Sequence, residues 1–360
     1  MKRNSVFALA ALFLITLATS AFAQVTVGIV LPSKDEERWI QDQARFQDAL
    51  KTAGISAEVL FSQGDSAKEK ANVETLITKG IKVLVLCPVD SAAAAAAADA
   101  AAKAKVKVVA YDRLITGTKN VDFYVTFDSF SVGAAWGKYL ASQLTGKNQN
   151  LYLYAGNNSD NNAFIFFEGA WSVLQPKIAD GSFRIVNSDK AVAVQKKATL
   201  SRAEMGAIIG QVTTLWNPGE AKNKAEAHLT AAKAADKGVA YILGPNDQTA
   251  RAIADVFAVD KDVKKYFITG QDAEKVSIQY IIDGKQSMTV LKDVRVLVAD
   301  AIQVAITFAK GQKPAQTKTY NNGKIEVPAK PSDVTTVTKQ NVKAAIVDSG
   351  YYPAKDFTGL

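Results

Sequence analysis

The sequence predicts an α/β fold of two doubly wound parallel-sheet lobes joined by a hinge of three chain segments. Three observations predict it. Short runs rich in Val, Ile and Leu alternate with amphipathic stretches, the pattern of parallel strands covered on both faces by crossover helices. The alternation starts afresh at Leu151. The chain has 360 residues, more than the roughly 250–300 at which one core stops growing and chains divide into domains. A composition that is 48% hydrophobic and 22% charged, with 9 prolines and 22 glycines, excludes a disordered or collagen-like chain.

Taken in order, Val25 to Leu31 has strand length and is followed by Trp39, Phe46 and Leu50 at the spacing of one helix face. Ile55 to Phe61 leads into a helix over 66–79, Val83 to Cys87 into the alanine-rich 91–104, and Val106 to Tyr111 into a turn. Alanine is the best helix former, and its small side chain lets a helix lie close on a sheet, so Ala92 to Ala98 is read as helix. Further strands are expected at Leu151 to Tyr154, Arg184 to Val186, Tyr241 to Leu243, Phe267 to Thr269 and Met288 to Leu291. The first lobe is expected to comprise 24–127 plus 293–311, and the second 128–292 plus 312–360. The chain then crosses between lobes near Phe127-Asp128, near Lys292 and after Lys310-Gly311.

The first residues read as an export leader. Lys2 and Arg3 precede an apolar run from Val6 to Leu17, and Ala21-Phe22-Ala23 is a small-x-small cleavage signature, which places the mature start at Gln24. The run is short for a membrane span, which needs about 20 residues. Residues 1–23 are therefore expected to be a signal peptide cleaved after Ala23, leaving an exported protein. The formal charge is +8 with the leader, and the 41 basic and 35 acidic side chains beyond it are interspersed. That is a solvated surface rather than a nucleic-acid footprint. One cysteine and one histidine leave no internal disulfide and no His cluster for a metal. Cys87 is read as a core thiol and His228 as an exposed helical residue.

Open α/β sheets bind ligands at the carboxyl ends of their strands, so the residues just after each apolar run carry the functional information. Ser33, Lys34, Arg38 and Trp39 follow the first run, Asp90 the third, and Asp112 and Arg113 the fourth. In the second half Asn157 to Asn162, Asn246-Asp247, Gln271-Asp272 and Lys292 occupy the same kind of position. Guanidinium forks, carboxylates and amides without an activated nucleophile suit a neutral polyhydroxyl ligand, whose hydroxyls both donate and accept. Trp39 and Trp216 are candidates to cover its apolar faces. G-x-x-x-x-G-K-[ST], a strand followed by G-x-G-x-x-G, and G-x-S-x-G are all absent.

Five stretches carry a resemblance: Glu37-Arg-Trp-Ile40, Val109-Ala-Tyr-Asp-Arg-Leu-Ile115, Asp160-Asn-Asn-Ala163, Thr269-Gly-Gln-Asp-Ala-Glu274 and Met288-Thr-Val-Leu-Lys-Asp293. In this order they resemble the periplasmic sugar-binding receptors of ABC importers, in the branch of the xylose and multiple-sugar receptors, from about Val25 to Tyr352. The resemblance implies the type I periplasmic binding protein fold and a non-enzymatic receptor whose lobes close on one monosaccharide, such as xylose, glucose or a related aldose. It implies an inner-membrane ABC permease as partner, a chemoreceptor or sensor kinase as an alternative partner, a monomer, no nucleic acid and no cofactor. It also implies that Arg38 donates to sugar oxygens and that Trp39 and Trp216 cover the two ring faces. Asp112 and Arg113 hold hydroxyls from the first lobe; Asn161 or Asn162, Asn246, Asp272 and Lys292 do so from the second lobe and hinge. One departure is a longer stretch between Gly181 and Trp216, including Lys190 to Gln211, which puts the register of Trp216 at issue. A glycosidase using Asp112 and Asp272 is the competing chemistry.

Overall fold

The computed structural model describes residues 26–360; the expected leader, residues 1–23, lies outside the described residues. Strands β1 (Val27–Leu31), β2 (Ala57–Phe61), β3 (Val83–Leu86), β4 (Lys107–Tyr111) and β5 (Phe123–Phe127) form the first sheet in parallel, in the order β2-β1-β3-β4-β5. Four of these strands are apolar almost throughout because both faces are covered. Helix α1 (Glu37–Ala53) lies on one face, where Trp39, Phe46 and Leu50 join the core as their spacing predicts. Helices α2 (Ser66–Thr78) and α3 (Ala95–Lys103) cover the other, with Ala97, Ala98 and Ala101 pressed on the sheet. The alanine helix begins at Ala95 rather than residue 91, because the Asp90 carboxylate accepts from the Ala92 and Ala93 N–H groups in a turn before it.

Past Phe127 the chain enters the second lobe through α4 (Ser129–Ser142). Its sheet is β6 (Gln149–Leu153), β7 (Phe183–Ile185), β8 (Gly238–Leu243) and β9 (Val263–Ile268), parallel in the order β7-β6-β8-β9. Helix α5 (Asn161–Ala179) with α4 packs on one face, and α8 (Pro218–Ala231) with α9 (Asp247–Val259) on the other. Helices α4 and α5 touch backbone to backbone: a Cβ on Gly133 would stand 1.8 Å from the Phe166 carbonyl oxygen. The stretch before Trp216 forms α6 (Asp189–Val194) and α7 (Arg202–Val212), and Met205, Ile208, Ile209 and Val212 bury into the same core as α5.

After α10 (Lys275–Asp283) and β10 (Met288–Leu291), the chain returns through α11 (Val294–Ala309), which packs on the first lobe. The expected third crossing after Lys310-Gly311 needs correction. Strands β11 (Lys318–Asn321) and β12 (Glu326–Ser332) extend the first sheet, with β12 parallel to β5 through Ala329↔Tyr124 and with Val327 and Ala329 in the first-lobe core. The first lobe therefore reaches Ser332, and only the last segment, from β13 (Thr335–Thr338) paired to β10, belongs to the second. The reason is burial: Val327 and Ala329 complete the face that α3 covers.

Candidate functional site

In both sheets the strand order reverses at the first strand, between β1 and β3 and between β6 and β8, and a crevice opens at the carboxyl ends there. The two crevices face each other across one cavity of about 280 Å³, close to the lower limit of the roughly 300–1,000 Å³ typical of small-molecule sites. The first lobe lines it with Glu36, Arg38, Trp39, Asp112 and Arg113. The second supplies Asp160, Asn162, Phe166, Trp216, Asn246, Gln271 and Asp272, and Lys292 comes from the hinge.

Arg38, 2% exposed, is the centre of the charge arrangement. It donates from Nε to Asp42 at 2.5 Å and from Nη2 to Asp112 at 2.9 Å, and its Nη1 stands 3.5 Å from Asp272. Lys292 Nζ lies 2.8 Å from the same Asp272 oxygen. Arg113 donates to Asp160 at 3.0 Å and to Glu36 at 3.3 Å, and Glu36 also accepts from Trp39 Nε1 at 2.9 Å. Both guanidiniums lie over the Trp39 ring, each 5.0 Å from its centre. Burial alone would raise the Asp112 carboxyl, but Arg38, Lys292 and Arg113 together hold it below its ordinary value. Burial wins at Glu36, Asp42 and Asp160, which are pushed up against the pull of their arginines.

The backbone is strained where it presents these groups. Asp112 has φ +59°, Asp272 +97°, Ala273 +52°, Leu215 +53° and Trp216 +58°. Non-glycine residues reach this region only at a cost that the surroundings must over-determine. At Asp112 they do so: its N–H donates to Val125, and its carbonyl accepts from Tyr124 Oη, Thr126 Oγ1 and Asn162 Nδ2. Gly156 lets the Trp216 indole lie flat on the backbone, since a Cβ there would stand 1.9 Å from the ring. The register of Trp216 is fixed by α7 and by Thr214, whose N–H donates to Ala155.

Two buried polar atoms at the cavity have no protein partner. Gln271 donates from Nε2 to Pro245 and leaves Oε1 unpaired; Trp216 Nε1 is likewise unpaired.

Nine of the ten expected residues line the cavity. Asn161 does not: it is the first residue of α5, half-buried, and its N–H donates to Ser91 Oγ at 3.0 Å. Asn162, one position on, turns inward to the Asp112 carbonyl at 2.8 Å. Glu36 and Phe166 were not singled out from sequence, and Asp160 and Gln271 were named only as parts of polar strand-end runs. Phe166 follows Asn162 by four residues, one turn along the same helix face. Cys87 is buried, as read. His228 is not the exposed residue expected: it is half-buried with Nδ1 3.1 Å from both Tyr154 Oη and Asn187 Nδ2, and burial pushes it down to about 4.

Residues 27–313 match the family model of the periplasmic binding protein domain. The chain is 34% identical to the multiple sugar-binding periplasmic protein SbpA of Azospirillum brasilense, over 95% of this chain and 94% of that one. It is 33% identical to the multiple sugar-binding periplasmic receptor ChvE of Rhizobium radiobacter, over 97% and 98%. Among solved structures it is similar to a carbohydrate transporter solute-binding protein from Chloroflexus aurantiacus in complex with D-glucose. The identity there is 66% and the TM-score 0.92, covering 93% of this chain and 98% of that one.

Proposed function

The chain belongs to the periplasmic binding proteins, and from that premise we propose that its cavity captures one neutral aldose, such as D-glucose or D-xylose, reversibly and unchanged, for delivery to an ABC permease. The observation that carries this reading is the cavity itself: paired carboxylates and guanidiniums, amides from the second lobe, and aromatic rings from both, placed where both strand orders reverse. The unpaired Gln271 Oε1 is an acceptor and the unpaired Trp216 Nε1 a donor, which suits hydroxyl groups that are both. Because the lining comes from two lobes, one sugar satisfies all of it only when the lobes approach. The relative bound to D-glucose supports the ligand class.

A binding role also fits the chemistry better than hydrolysis. Asp112, the general acid a glycosidase reading would use, is held ionised rather than raised, and its carboxylate is already engaged by Arg38 at 2.9 Å. The cavity carries Glu36, Asp112, Asp160 and Asp272 against Arg38, Arg113 and Lys292, and each of those cations already stands against a carboxylate. A uronate would bring a further carboxylate to a site with no free cation.

Calorimetric titration of the exported protein, whose first residue is expected to be Gln24, tests this. At least one of D-glucose and D-xylose should bind saturably and be recovered unchanged by mass spectrometry, with D-glucuronate at least tenfold weaker. Recovery of a modified sugar at a rate that depends on Asp112, or tighter binding of the uronate, would overturn the proposal.

A further inference from the structure

Beside the cavity, the two lobes touch at a second point. The loop after β3 meets the loop before α5. Ser91 is buried; its N–H donates to the Ser159 carbonyl at 3.0 Å, and its Oγ accepts from the Asn161 N–H at 3.0 Å. Its own carbonyl accepts from the Thr116 N–H at 2.7 Å within the first lobe. Both loops are braced from behind. Glu69 accepts from the Val89 N–H at 2.7 Å and Arg113 donates to the Pro88 carbonyl at 3.3 Å, while Asn157 Oδ1 accepts from the Ser159 N–H at 3.0 Å. Neither Ser91 nor Ser159 lines the cavity, and Asn161 does not either.

We infer that Ser91 is a positioning residue for sugar affinity: with the Asn161 and Ser159 backbones it forms a latch between the lobes that exists only in the closed form. This deepens the receptor reading and rests on it. A contact made only in the closed state, and made without touching the ligand, strengthens every ligand by one common factor, because it biases the same open–closed equilibrium whatever sugar occupies the cavity. It therefore acts on the rate of release.

Two substitutions delete the same hydrogen bond from opposite sides. Ser91→Ala removes the acceptor. Asn161→Pro removes the donor at the first position of α5, where proline is tolerated and where the preceding Asp160 is already extended, with φ −95° and ψ 119°. Kd and release rates for D-glucose and D-xylose would be measured on wild type, both variants and the double variant. Each single variant should weaken both sugars by the same factor, roughly two- to tenfold for one hydrogen bond, and accelerate release. The double variant should fall no further than the weaker single one.

Wild-type affinity in Ser91→Ala, additive losses in the double variant, or a factor that differs between the two sugars would overturn the latch while leaving the receptor intact. Should Asn161→Pro fail to fold, the Ser91→Ala comparison across two sugars still decides. A wild type that binds neither sugar overturns the receptor reading and the latch with it.

Discussion

Replacing Arg38 by methionine is expected to weaken aldose binding at least 100-fold and to destabilise the protein at neutral pH. Arg38 stands against three carboxylates, Asp42, Asp112 and Asp272, all nearly inaccessible to solvent. Removing one partner of a buried ion pair costs about 3–5 kcal/mol, because the charge left behind has lost its counter-ion. The pH dependence gives the effect a sign. Asp112 is held below its ordinary value, so in wild type its stabilising contribution is present above that value and is lost only as the pH falls through the lowered folded one. Asp42 is already raised by burial against the pull of Arg38, and without Arg38 it rises further. A raised carboxylate costs stability at neutral pH, and the cost shrinks as protonation relieves it. Thermal midpoints measured from pH 7 down to pH 5 should therefore show the gap between Arg38→Met and wild type narrowing. A gap that stays constant or widens on acidification would mean that Asp42 and Asp112 do not depend on this guanidinium.

The second large effect lies in the second lobe. Gly133→Ala places a methyl 1.8 Å from the Phe166 carbonyl oxygen and close to the Ala170 N–H, both of them backbone atoms that no rotamer change can move. Helix α5 must shift, and it carries Asn162 and Phe166 to the cavity. Overpacking of this kind costs about 3 kcal/mol, so the thermal midpoint should fall by roughly 5–10 °C, and aldose affinity should fall with it. A variant as stable as wild type would show that α4 and α5 are not in backbone contact.

The sequence made the architecture legible wherever a strand is buried on both faces, because nothing but an apolar run can sit there. It failed at β12, where Glu326 to Ser332 contains Pro328 and Pro331 and alternates with polar residues. Two prolines argue against a strand interior, so the third crossing was expected after Lys310-Gly311 and lies beyond Ser332. At the site, the polar residues after each strand were readable because parallel sheets bind ligands at that edge. The choice between Asn161 and Asn162 depended on helix phase. Asp160 caps α5 by accepting from the Asn162 N–H, which makes Asn161 the first helical residue and turns Asn162 to Asp112. Asp160 was the available signal for that phase. The positive φ at Asp112 and Asp272 had only a weak signal in residue type, since Asp tolerates it better than most residues, and at Asp112 the surrounding hydrogen bonds impose it.

The central claim is that one sugar is held by both lobes at once, and small-angle scattering with and without saturating D-glucose tests it most directly. Asp112 and Arg113 belong to one lobe and Asn162, Asn246 and Asp272 to the other, so occupancy should shift the population toward the closed form and reduce the radius of gyration. The contraction should disappear in Asp272→Ala at a glucose concentration that saturates wild type. An unchanged radius in wild type, with saturation confirmed calorimetrically in the same sample, would contradict closure around the ligand.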